Sequence, residues 1–567
     1  MRKNLTRILL FLGTVTSFVW AGDAKVAPEL KWRRDYNPVD VIVQYKVPPT
    51  DAHKEKIRAR GGVIQSDISI VNGVTVSIPA AQTTALASDP DVAYISPNRN
   101  LYAALDNTAA AVNANYAWQL GYNGSGIGIA VIDSGISTHP DLKHALVYSQ
   151  DFTGVGSSTK NPNLITGTDD YYGHGEHVAG ILAGNGSQST GTSFTRTFKG
   201  LAPHAKLVNL RALDQNGNGT DTSVIAAIQQ AIALKNKYNI RIINLSLGRP
   251  VFETYKLDPL CQAVEQAWKA GIVVVVAAGN EGRNNSAGTS GYATIAAPGN
   301  DPYVITVGAM KTMGTPDRAD DTIASYSSKG PTLLDHIVKP DLVAPGNRTV
   351  SLLATSGSLP AEYPANRVPL SIYESTSTTG LSEYYYTLSG TSMATPVVSG
   401  AVALLLEAQP SLTPDQVKAR LMKTAYKTFP AYSSVTDSIS GVIYIDQYDV
   451  FTVGAGYLDI QAALSSGEVS PNGLSAMSPI VSCDPLTANV DLVSDSSAVW
   501  GNSAVWGNSA VWGNSAVWGN SAVWGNSAVW GNSLNIGFSA VWGNGSVWGN
   551  NSGAASESTR LTIVGEN

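Results

Sequence analysis

Residues 127–136 read Ile127-Gly-Ile-Ala-Val-Ile-Asp-Ser-Gly-Ile136. The first six are apolar or Gly, without the polar alternation of a strand that wets one face, so both faces are predicted to be buried. Three further runs share this character: Ile240-Arg-Ile-Ile-Asn244, Ile272-Val-Val-Val-Val276 and Val304-Ile-Thr-Val307. Helical patterns fall between them, at Ser223 to Leu234 and Leu260 to Ala270. Strands joined by helical crossovers predict an α/β block with a parallel sheet flanked by helices, over residues 107–466. Asp133 directly follows the first strand, at the carboxyl edge where parallel sheets build sites. Read alone, it is a strand-end residue capping a loop.

The chain has 567 residues, 43% hydrophobic and 14% charged, enough apolar mass for a large core. A formal net charge of −6 argues against a nucleic-acid partner. Two cysteines, Cys261 and Cys483, exclude a disulfide scaffold and a Cys-built zinc site, and leave their mutual pairing open.

Arg2, Lys3 and Arg7 precede an apolar stretch from Ile8 to Trp20, and Ala21 and Ala24 follow. This reads as a secretory signal peptide over residues 1–21. Gly13, Thr14, Thr16 and Ser17 make the stretch too short and polar for a span of about 20 residues. No transmembrane segment is expected, and the protein is expected to be secreted. Residues 38–103 read as a small α+β module, with strands at Val39–Tyr45, Val74–Ile78 and Val92–Ile95 and a polar helix from Asp51 to Arg60.

Beyond the α/β block, residues 467–496 are predicted to be a linker. Ser-Ala-Val-Trp-Gly-Asn then repeats six times from Ser497 to Asn532, with imperfect copies extending to Asn550. The even period puts every Trp on one face of an extended strand, and Gly-Asn-Ser offers a turn in each copy. A stacked array and a low-complexity tail are both compatible with this pattern.

Two motifs join Asp133. His174-Gly-Glu-His-Val-Ala-Gly180 opens an apolar helix. Its histidines are three apart, which fails the His-Glu-x-x-His zinc pattern. Leu388-Ser-Gly-Thr-Ser-Met-Ala-Thr-Pro396 runs into a helix rich in small residues and places Ser392 at its N-terminal end, where backbone N–H groups favour developing negative charge. Ala394 stands where the Gly-x-Ser-x-Gly elbow needs its second Gly. The chain order Asp133, His174, Ser392 is that of subtilisin, against His-Asp-Ser or Ser-Asp-His on other folds.

On these residues the α/β block resembles the subtilisin-like serine peptidases, the subtilases. Ala277-Ala-Gly-Asn-Glu-Gly282 resembles the family's oxyanion-hole motif and Asn244-Leu-Ser-Leu-Gly248 its substrate-pairing strand. Lys339-Pro-Asp-Leu-Val-Ala-Pro-Gly346 resembles the segment leading to the serine. The resemblance implies a serine endopeptidase acting on polypeptides, expected to be monomeric. In it Ser392 is the nucleophile, His174 the general base and Asp133 the group that orients His174. Asn280 would donate to the oxyanion. Gly217, Gly219, Ser246, Leu247 and Gly248 would pair with an extended substrate. Ala278 and Gly279 would line an apolar pocket for the residue before the cut. His177 is expected to support the fold.

The resemblance also implies that residues 38–103 are an inhibitory propeptide, the chain's own inhibitor, released by self-cleavage between Asn100 and Ala110. No cofactor is needed for the chemistry. Calcium is common in the family, and Asp141 matches one ligand position, but residues 184–197 lack the usual ligand loop, so structural calcium is allowed rather than predicted.

The chain departs from the pattern at two places. Glu176 stands where the family has Thr or Ser, and is expected to raise the His174 pKa modestly or to point to solvent. The 43 residues between Gly346 and Gly390 exceed the compact members, and are read as a surface insertion rather than a rim of the cleft.

Overall fold

A computed structural model describes residues 25–27, 30, 33, 35–97, 104–155, 164–286, 288–376, 379–437, 439–470, 473–483, 490–493 and 565–566. The predicted signal peptide and the Trp repeats lie outside the described residues. The chain divides into two compact units, residues 1–101 and 102–567.

The first unit is an antiparallel sheet of β1 (Pro38–Tyr45), β2 (Val63–Ile68), β3 (Gly73–Pro79) and β4 (Val92–Pro97), in the order β2-β3-β1-β4. Helices α1 (Asp51–Arg58) and α2 (Thr83–Ala87) complete it. Its own core is closed by Val41, Val43, Ile57, Val74, Val76, Ile78 and Ile95. The α+β reading holds here. Strand β2 was missed, because Gln65, Ser66 and Asp67 break its apolar pattern.

The second unit is built on an eight-stranded sheet: β5 (Gly128–Asp133), β6 (Leu146–Asp151), β7 (Lys206–Arg211), β8 (Ile240–Leu245), β9 (Val273–Ala277), β10 (Ile305–Lys311), β11 (Thr322–Ile323) and β12 (Leu342–Pro345). The order is β11-β10-β9-β8-β5-β7-β6, with β12 beside β10. Every pairing is parallel except β10 with the edge strand β11. Every residue of β5 and β9 is buried, as continuous apolar runs demand. Helices α3 (His174–Ala183) and α6 (Thr391–Ala408) pack on each other, as do α4 (Asp221–Tyr238) and α5 (Pro259–Lys269), and both pairs lie against the sheet. The strand order reverses about β5, whose neighbours are β7 and β8. Crevices form at the carboxyl ends of strands at such a reversal, and Asp133 and Ser246 sit there.

Among the described residues one helix, α6, is long and apolar enough to cross a membrane, but it is buried within the protein core. Residues 346–390 hold a second small sheet, β13 (Thr349–Leu352), β15 (Leu381–Leu388) and β14 (Arg367–Pro369) in that order. The predicted linker is partly folded: Ala476, Ser478 and Val481 are buried, and Ser478 Oγ bonds the Asp341 carboxylate at 2.5 Å. Its low charge and small residues had hidden this packing. Cys261 is a free, buried thiol. The stretch expected to be cut runs into a helix at Ala104–Ala111, where Asn107, Thr108 and Ala109 are buried, which takes these three out of reach of a protease.

Candidate active site

Asp133 ends β5 and His174 opens α3, and a web of local hydrogen bonds fixes the two together. Ser134 Oγ donates to Asp170 Oδ1 at 2.9 Å and accepts from the Gly175 N–H at 2.9 Å. Asp170 also takes the N–H groups of Gly173 (2.7 Å) and Glu176 (2.8 Å), satisfying donors that a helix start leaves unpaired. Gly175 is required by close approach, since a Cβ there would stand 2.2 Å from the Gly135 carbonyl oxygen. The result is a 2.7 Å hydrogen bond between His174 Nδ1 and Asp133 Oδ1, with Asp133 only 1% exposed. Burial works to lower the His174 pKa. The Asp133 charge and hydrogen bond, with the Asp170 charge, outweigh it and hold the imidazole above its ordinary value of 6.5.

Ser392 lies in the first turn of the 18-residue α6. Its Oγ donates to the Ser246 carbonyl at 3.1 Å, and Ser246 Oγ returns a bond to the Ser392 carbonyl at 2.8 Å, tying α6 to the end of β8. Asn280 follows β9. Its Oδ1 accepts from the Thr391 N–H at 2.9 Å and from Thr391 Oγ1 at 3.1 Å, so the side-chain NH₂ sits on the opposite limb of a fixed amide.

A cleft of about 390 Å³ gathers His174, Ser392, Gly217, Gly219, Ser246, Leu247 and Gly248 in its walls. Ala278 and Gly279 are not among those lining residues. Ala278 is buried and its backbone is spent within the fold, its N–H on the Val307 carbonyl and its carbonyl on the Ala296 N–H. On the opposite edge, Gly217 has φ +75°, and a Cβ would meet the Tyr172 ring at 2.6 Å.

Glu176 corrects both expectations made for it. It is fully buried, with Oε2 accepting from the Ser137 N–H, and burial and the Asp170 charge push its pKa well above the ordinary carboxyl range. Its buried side chain does not point to solvent, and it is not among the charges that raise the His174 pKa. His177 is also buried, its Nε2 shared between the carbonyls of Thr349 (3.1 Å) and Tyr386 (3.2 Å). Burial, then the His174 charge, lower its pKa to about 3, so it braces the β13–β15 sheet as a neutral group.

The long segment before the serine is not a surface insertion. Leu359 and Leu388 line the cleft, and Tyr385 and Tyr386 are buried in the core. Its apolar side chains are spread among polar ones, and this hid them from a periodicity reading. Sequence reasoning also missed Asp170 and Tyr172. An Asp four residues ahead of a helix-opening His was the available signal for the first.

Asp141 does not fit a calcium site. Its carboxylate takes the Ser187 Oγ hydroxyl (2.6 Å), the Gln188 N–H (3.0 Å) and the Tyr385 hydroxyl (2.9 Å), all hydrogen-bond donors. Among the described residues no group of three His, Cys, Asp or Glu side chains could hold a metal ion.

Residues 124–455 match the profile of the Subtilase family. The chain is 36% identical over 400 residues to serine protease AprX of Bacillus subtilis, covering 68% of this chain and 82% of that protein. It is 33% identical over 376 residues to subtilisin E of Bacillus subtilis, covering 66% and 80%. The minor extracellular protease Epr of Bacillus subtilis is 30% identical over 402 residues, covering 68% of this chain and 50% of Epr.

Proposed function

The chain belongs to the subtilase family and is a serine-type endopeptidase, and from that premise we propose that Asp133, His174 and Ser392 carry the hydrolysis in a secreted, self-processing zymogen. The observation that carries the assignment is the 2.7 Å bond from His174 Nδ1 to buried Asp133, in a helix start whose other end of the imidazole shares a cleft with Ser392.

The imidazole accepts the Ser392 proton as Oγ attacks the scissile carbonyl, and the acyl-enzyme forms. Asp133 holds the reactive tautomer and stabilises the imidazolium. His174 then returns the proton to the leaving amine, and a water repeats the cycle to release the acid. The Asn280 amide, with the Ser392 N–H at the start of α6, stabilises the oxyanion. Ser392 Oγ rests on the Ser246 carbonyl in the free enzyme, and a bound substrate draws it to His174, since catalytic hydrogen bonds tighten in the complex. The edges at Gly217–Gly219 and Ser246–Gly248 hold the substrate as an added strand, which reads backbone more than side chain.

Residues 38–103, with their own core, serve as the chain's inhibitor until they are cut away. The positive, then apolar, N-terminus and the likeness to an extracellular protease support secretion. Steady-state hydrolysis of an unfolded protein tests the roles. Ser392→Ala and His174→Ala should lose about 10⁶ in kcat and Asn280→Ala about 10²–10³, magnitudes carried over from subtilisin itself, and Asp133→Asn about 10⁴, the magnitude of the chymotrypsin-type triad. Near-wild-type rates in His174→Ala would sink the assignment.

A further inference from the structure

Glu566 lies beyond the Trp repeats, yet its side chain is fully buried in the peptidase unit. Arg283 Nη2 donates to its Oε1 at 2.8 Å, the Ser325 N–H donates to Oε2 at 3.2 Å, and the Ser325 hydroxyl also bonds Oε1. Lys311 Nζ stands 3.3 Å from Oε2. Asn347 pairs with its backbone in both senses: Nδ2 donates to the Glu566 carbonyl at 2.9 Å, and Oδ1 accepts the Glu566 N–H at 2.9 Å. The residue before it must be small. Gly565 has φ +76°, and a Cβ there would stand 2.5 Å from Arg348 Cγ and 2.6 Å from Ser389 Oγ.

This is a built slot. Arg283 and Lys311 are 5% and 7% exposed, and Arg283 also pairs with the buried Asp437 at 3.0 Å. Removing Glu566 would take away the carboxylate that Arg283 and Lys311 both face, and leaving a buried cation without its partner is strongly unfavourable. The slot reads three features together: a carboxylate side chain, a backbone amide with both its groups, and a glycine ahead of it. Nothing in the hydrolytic mechanism uses it. Among the described residues that Gly565 and Glu566 contact, only Ser389 lines the cleft, so these two residues lie beside the cleft and do not fill it.

We propose that Gly565–Glu566 is an internal ligand of the peptidase unit, a carboxylate clasp that fastens the far side of the repeat region beside the serine loop. The chain between 493 and 565, with all the Trp repeats, is thereby tethered to the same unit at both ends. Ser389, three residues ahead of Ser392, touches the clasp and also accepts the Arg348 N–H at 2.8 Å, so docking buttresses the loop that carries the nucleophile.

The test uses the full chain in a Ser392→Ala background, which prevents self-cleavage. Glu566→Ala and Glu566→Gln should lower the melting temperature and speed hydrogen exchange at the Ser325 amide about 100-fold, the loss expected when one partner of a buried ion pair is removed. A peptide of sequence Thr-Ile-Val-Gly-Glu-Asn, added to Glu566→Ala, should restore both, while the same peptide with Gln for Glu should not. Unchanged melting and exchange in Glu566→Ala would overturn the clasp. A melting temperature of the parent protein that rises with protein concentration would overturn its intramolecular form, since it would place Glu566 in the slot of another copy.

Discussion

At the residue scale, the decisive feature is how burial and neighbouring carboxylates set the basicity of His174. Burial works to lower the His174 pKa, and the charges of Asp133 and Asp170 outweigh it and hold it above 6.5, while burial and the Asp170 charge push the Glu176 carboxyl, two residues along, well above the ordinary range. The base works only when unprotonated. Activity is therefore lost as pH falls through the raised His174 pKa, and the ascending limb of kcat/KM should have its midpoint above pH 6.5. Glu176→Gln keeps an acceptor for the Ser137 N–H and leaves the groups that raise the His174 pKa in place, so the limb should not move. A limb that shifts downward in Glu176→Gln would show that Glu176 is ionised. The position of Glu176 in the motif was legible in the sequence. Its charge state was not, because that depends on burial, which a local pattern does not carry.

At the element scale, the strands and helices that hold Asp133, His174 and Ser392 were legible because their runs are long and buried on both faces. The substrate edges depend on something finer. Gly217 sits at φ +75° with the Tyr172 ring 2.6 Å from where a Cβ would be. Gly217→Ala adds about 1–2 kcal/mol of backbone strain and displaces the edge that pairs with substrate. KM should rise about tenfold with kcat changed less, as uniform binding is lost. Gly217→Ala with Tyr172→Ala relieves the clash and should recover part of the loss in steady-state kinetics. Equal losses in kcat and kcat/KM would instead place Gly217 among groups used only in the transition state. Tyr172 and Leu359 themselves were not legible, since the chain brings them to the cleft from segments far apart in sequence.

At the scale of the whole molecule, the central claim is that one serine is activated by a buried Asp–His pair and that the same serine matures the chain. The order Asp133, His174, Ser392 suggested the triad from sequence, because three unremarkable residues become specific only together, and the family resemblance added the expectation of self-maturation. The partner of Glu566 could not be read there: its slot is assembled from residues near 283, 311, 325 and 347. The most direct measurement is the intact mass of the purified protein beside its Ser392→Ala variant, each treated with a fluorophosphonate probe. The wild type should shed about 100 N-terminal residues and take one adduct, because Ser392 is the nucleophile we propose His174 activates. Ser392→Ala should keep its N-terminal unit and take none. A folded wild type that takes no adduct, or a Ser392→Ala variant that is labelled and trimmed like it, would contradict the account.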